Sequence, residues 1–159
     1  MALVALLAVG AVLSSILNSQ PRRASVDIPT ALPTATSAMG TPFQDGQIEF
    51  LVESIEPLDV SPEPPSLWFQ VVTVRMTNTG ASPQLVYFND QRLLGDQGGE
   101  FSPDPLLSKR LNNGKVAVLL APGGKATMTI PFALPINTEP VAVQLHAGPE
   151  IPGVAVPSP

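Results

Sequence analysis

Cysteine is absent from this chain, and with it every disulfide, thiolate nucleophile and thiolate metal site. Histidine is nearly absent too. His146 is the single copy, so a zinc site would have to draw almost all its ligands from carboxylates. A nucleophilic triad would have to be built around that same residue, and no G-x-S-x-G turn exists to hold a serine beside it. The chain is therefore not expected to be an enzyme, and no cofactor is expected. Aromatic residues make up only 5%, which leaves an aliphatic core. Positive charge is scarce as well: Lys and Arg number 8 against 13 Asp and Glu, for a net charge of -5. A phosphate backbone would be repelled, and no nucleic acid partner is expected.

What the chain has in quantity is proline, 19 residues of it among 159. Proline removes a helix hydrogen bond and clashes with the preceding turn, so short strands suit this composition better than long helices. The mass of 16.6 kDa leaves room for one core once targeting and linker segments are set aside.

Residues 1–17, MALVALLAVGAVLSSIL, carry no charge. As a helix they would span about 25 Å, against a hydrocarbon core of about 30 Å. They read as an uncleaved N-terminal hydrophobic helix that anchors the chain in a membrane, with a cleaved signal segment as the alternative. Arg22 and Arg23 follow the run and by the positive-inside rule would hold the remainder in the cytoplasm. The stalk-like composition that comes next argues for the opposite side, with a basic stretch upstream of the numbered start. Residues 18–45 combine Pro21, Pro29, Pro33 and Pro42 with clustered Ser, Thr and Ala, the composition of a semi-extended linker. Residues 148–159, GPEIPGVAVPSP, read the same way, as a Pro-rich disordered tail.

Between them, over residues 46–147, apolar residues recur with a period of two. Ile48, Phe50 and Val52 alternate with Gln47, Glu49 and Glu53. Trp68, Val72, Val74 and Met76 fall on one face of a second strand that stops at the Asn78-Thr79-Gly80 turn signal. Gln84 to Phe88 and Arg92 to Leu94 form further short strands, and Phe101 returns from the Gly95 to Gly99 loop as a hairpin. Lys115 to Leu120 leads through Ala121, Pro122, Gly123 and Gly124, a tight turn between two strands. Ala126, Met128, Ile130, Phe132 and Leu134 then share a face, with Pro131 in the outward set, which argues for an edge position or a strand end. Val141, Val143 and Leu145 close the series, with Gln144 and His146 on the polar side. About seven short strands without a convincing helix predict an all-β, immunoglobulin-like antiparallel β-sandwich.

Asp96, Glu100 and Asp104, near Asp90 on a Gly-containing loop, offer oxygen ligands of the kind calcium needs, and they are the candidate metal ligands. Their spacing matches no EF-hand, and Asp and Gly are also the ordinary residues of a turn. Glu49, Glu53, Glu56, Asp59 and Glu63 make an acidic stretch, either a solvated strand face or a salt-sensitive edge for a partner. His146 reads as an exposed surface residue.

The order IEFLVESIEPL, LWFQVVTVRMTNTG, LLGDQGGEF, LLAPGGKATMTIPFALP and VAVQLH resembles the telokin-like secreted bacterial domains of unknown function, of the mycobacterial immunogenic extracellular protein type. The resemblance implies an immunoglobulin-like fold and an extracytoplasmic location, and it implies no activity. No Cys follows the apolar segment, so the lipid anchor of the lipoprotein members is not available. The functional expectation is a non-catalytic binding or interaction domain whose partner is a protein or a cell-envelope component, with membrane contact through residues 1–17. A structural accessory of an envelope complex and a calcium-dependent adhesion module are the alternatives.

Overall fold

The computed structural model of the protein describes residues 36–60 and 66–159. The expected N-terminal helix over residues 1–17 and most of the expected linker lie outside them. Among the described residues no helix is long and apolar enough to cross a membrane.

The sandwich is organised around one long strand. β1 (Phe43–Asp45), β2 (Ile48–Leu58) and β3 (Leu67–Asn78) follow one another in the chain. β3 is rich in β-branched residues and pairs along its length on both sides, antiparallel to β2 and to a later strand, Lys125–Pro135. Alternation buries Ile48, Phe50 and Val52 of β2 and Val72, Val74 and Met76 of β3 on one face. A bulge in β2 between Val52 and Ser54 shifts the register by one residue. That shift brings Ile55 onto the face that strict alternation would have turned to solvent. Glu53, at the bulge, forms an ion pair with Arg75 at 3.4 Å on the outer face.

After β3 come β4 (Gln84–Tyr87), a 3-10 turn (Phe88–Asp90), β5 (Arg92–Gly95), β6 (Glu100–Phe101), helix α1 (Pro105–Leu111), β7 (Ala117–Leu120), β8 (Lys125–Pro135), β9 (Pro140–Leu145) and β10 (Val154–Pro157). One sheet has the order β1-β2-β3-β8 and the second the order β10-β9-β5-β6, while β4 and β7 form a separate two-stranded ribbon. The core between the sheets joins Phe50, Val74, Met128 and Phe132 from the first to Leu93, Val143, Leu145 and Val156 from the second. Phe43 of β1 stacks on Phe50 at 5.8 Å.

Several expectations are corrected here. The tail is not disordered: β10 pairs antiparallel with β9 and buries Val154, Ala155 and Val156, supplying the edge strand of the second sheet. Its prolines flank this strand or end it, so the ladder keeps its donors. The domain also starts earlier than residue 46, since β1 pairs with β2 through a Gly46-Gln47 turn, and Thr36 bridges to Ala155. The Ala121 to Gly124 turn does lie between two strands, as expected, although the two do not pair with each other. β7 pairs with β4 and β8 with β3, and the turn carries the chain between them while bonding to Asn78, whose N–H donates to Gly124 O and whose carbonyl accepts from Gly123 N.

A helix also exists where none was expected. Asp104 caps α1, its carboxylate accepting from the N–H groups of Leu106 and Leu107 at 3.0 and 2.8 Å, and Pro105 occupies the first turn. The segment around α1 covers the open edge of β8: Asp104 N–H donates to Pro131 O, and the Asn112 amide satisfies both N–H and C=O of Thr129. Pro131 therefore sits where its missing N–H faces away from β3 and costs no ladder bond, as an edge position requires.

Truncating one residue of β10 tests the folded tail. Val156→Ala is expected to lower the urea-unfolding free energy by roughly 2 kcal/mol, because Val156 is fully buried in the core. A disordered tail would give no change.

Candidate functional site

Buried amides and one carboxylate hold the strand ends of the second sheet. Gln91, fully buried, precedes β5 and pairs with the backbone of His146: its Oε1 accepts from His146 N–H at 2.8 Å, and its Nε2 donates to His146 O at 3.1 Å. The carboxylate of Asp45 accepts from Ala147 N–H at 2.7 Å, tying β1 to the end of β9. Residues 146 and 147 are thus fixed by side chains where the β5–β9 ladder has ended.

On the outer face of this sheet, Arg92 lies opposite Gln144 in the ladder and Glu100 lies opposite Leu94. Period-two alternation puts Arg92, Glu100, Gln144 and His146 on one side. With Asp90 and Pro149 they line a recess of about 260 Å³. Its walls are made rigid by the folded tail. Gln144 Nε2 donates to Pro152 O at 2.8 Å, and His146 Nδ1 lies 2.8 Å from Ile151 O. A carbonyl oxygen only accepts, so Nδ1 carries the proton and Nε2 is left as the acceptor of the neutral ring. Gly153, at φ +77°, lies against the imidazole, and a Cβ there would come within 2.6 Å of it. His146 is therefore half-buried under residues 151–153, a correction to the exposed surface histidine expected from the alternation.

Charges in the recess are of both signs and do not pair with one another. Among the described residues the one ion pair is Arg75–Glu53, on the other sheet. Arg92 spends one nitrogen, Nη1, on the carbonyls of Asn89 and Gln91, the latter at 2.7 Å. That anchors the guanidinium, and among the described residues its other donors have no protein partner. The buried side-chain oxygens without a partner, Gln70 Oε1 and Ser108 Oγ, are not in the recess lining.

The structure does not gather the candidate calcium ligands. Asp96 is used locally, its Oδ1 accepting from Glu139 N–H at 3.1 Å while its own N–H donates to Glu139 O. Asp104 is the cap of α1, and Glu100 faces the recess with Arg92. Among the described residues there is no group of three or more His, Asp or Glu side chains that could hold a metal ion. Of the acidic stretch, Glu49, Glu53 and Glu56 lie along β2, and Glu63 is outside the described residues. The residues that sequence reasoning missed are Arg92, Gln144 and Asp90 as partners of His146. The signal available was the polar alternation of Gln144 and His146, which does not say which strand lies beside it.

These features define a small two-sheet β-sandwich with an extra ribbon and a polar recess on one outer face. The chain belongs to the family described as Domain of unknown function (DUF4352), whose model matches residues 37–154. Three solved structures share the fold. The secreted protein MPT63 of Mycobacterium tuberculosis is 15% identical, with a TM-score of 0.55 over 80% of this chain and 99% of that one. The yjhA protein of Bacillus subtilis is 17% identical, with a TM-score of 0.51 over 69% of this chain and 80% of that one. A conserved hypothetical protein of Bacillus anthracis is 12% identical, with a TM-score of 0.51 over 67% and 87%. At these identities the likeness concerns the fold alone. The expected resemblance to a bacterial domain of unknown function is met by this family, and the likeness to the mycobacterial secreted protein is met in the fold. No curated protein matches the chain in sequence.

Gln91→Ala is expected to cost about 1–3 kcal/mol, because it leaves both His146 backbone groups without partners, and to shift the His146 resonances in an NMR spectrum. Added calcium is expected to leave the melting temperature unchanged, since no site gathers Asp96, Glu100 and Asp104.

Proposed function

We propose that this chain is a non-catalytic, extracytoplasmic recognition module that binds a small dipolar ligand in the recess on the outer face of β5, β6 and β9. The observation that carries this reading is the set of opposite charges on one wall that form no ion pair among the described residues. Arg92 offers guanidinium donors for a carboxylate, and Asp90 and Glu100 offer acceptors for an ammonium group. Gln144 and His146 add an amide and a ring nitrogen. The amino and carboxyl ends of a free amino acid or short peptide have this chemistry.

Two features support the absence of catalysis. No hydroxyl side chain lines the recess, and the Nδ1 of His146 is committed to a backbone carbonyl rather than to an orienting carboxylate. The extracytoplasmic location is supported by the apolar run at residues 1–17, by the linker composition and by the shared fold of a secreted mycobacterial protein.

Titration with glycylglycine, followed by NMR, is expected to move the amide resonances of residues 90, 92, 100, 144 and 146. Acetylation of its amino group or amidation of its carboxyl group should weaken binding, and Arg92→Gln should weaken it at least about tenfold, as loss of a charge-assisted contact does. The reading fails if the resonances stay put with every dipolar probe, or if the protein hydrolyses ester or peptide substrates and loses that activity in His146→Ala.

A further inference from the structure

The β4–β7 ribbon and α1 expose apolar residues that the sandwich does not use. Leu85 and Leu119 are direct cross-strand partners, and alternation places Tyr87 and Ala117 on the same side of the ribbon. Leu85 and Tyr87 are each 45% exposed, Leu119 is 69% exposed and Leu106 of α1 78% exposed. Leu111 at the end of α1 and Val116 on the stretch that joins helix to ribbon are also exposed.

The segment from Pro105 to Leu119 carries Lys109, Arg110 and Lys115, all exposed, and has no Asp or Glu. This is a basic region on a chain of net charge -5. Cations in the last turn of α1 suit the helix dipole, which accounts for Lys109 and Arg110. It does not account for Lys115, nor for leucines left in solvent at positions 106 and 119. Exposed leucine and tyrosine interleaved with cations that form no ion pair among the described residues, on one helix and the ribbon that follows it, match an anionic bilayer surface. There the cations meet lipid phosphates and the apolar side chains enter the headgroup boundary.

We infer that Pro105–Leu119, with Leu85 and Tyr87 beside it, docks the sandwich onto an anionic lipid surface. This surface is distinct from the recess, whose lining residues do not include any of these positions.

Because the chain has no cysteine, Leu119→Cys in the full chain places one environment-sensitive fluorophore on the ribbon, and Glu49→Cys places one on β2 as a control. The ribbon label reads this face alone, whatever part of the chain holds the protein at a vesicle. With phosphatidylglycerol vesicles its emission is expected to shift to the blue, while the β2 label stays unchanged and phosphatidylcholine vesicles give no shift. Each replacement among Lys109→Gln, Arg110→Gln and Lys115→Gln should weaken docking about fivefold, and added salt should reverse it. Equal shifts on both lipids, or none on either, would overturn the inference. So would a blue shift that grows with protein concentration in the absence of lipid, which would make the occupant a second copy of this chain.

Discussion

Everything in this domain hangs on the ladder bonds of β3. With twelve residues and a partner on each side, it fixes the register of β2 and β8, and through them the face on which the aliphatic side chains converge. The core has few aromatics to fill it, so its cohesion comes from many small apolar contacts that only a correct register can deliver. The bulge at Glu53 is part of that requirement, because without the one-residue shift Ile55 would leave the core.

Where ladders end, buried polar side chains take over the backbone groups they leave behind. Asn78 holds Ser82 O, Leu120 O and Gly80 N, Gln91 holds His146, Asn112 holds Thr129 and Asp45 holds Ala147. A buried backbone group without a partner is expensive, and these side chains also decide which loops meet. The recess is a by-product of two such joints. Gln91 and Asp45 set residues 146 and 147, and the tail that continues from them closes over the histidine. The charged residues of the recess can then stay apart from each other because rigid neighbours hold them.

Much of this was legible in one dimension. Alternation located β2, β3, β8 and β9 and their buried faces, the Gly95 to Gly99 loop did return as the β5–β6 hairpin, and Pro131 marked an edge. The misses have specific causes. β1 announces itself with Asp45-Gly46, a turn pair, but three residues are too few to show a period. The Asp104-Pro105 pair before LLSKRL is a helix start, but seven residues are too few to show a helical period. The prolines of the tail mask its strand, although Val154, Ala155 and Val156 between them are enough for an edge strand when β9 is there to receive it.

By itself the sequence determined that the domain is mostly β, acidic, without cysteine and with an aliphatic core, because composition and a period of two are local properties of the chain. Only the tertiary structure decided that Asp90, Arg92, Glu100, Gln144 and His146 share one recess, and that Asp96 and Asp104 serve turns and caps instead of a metal. Those outcomes depend on which strands become neighbours. That choice is made by the burial of whole faces, not by any residue near the site.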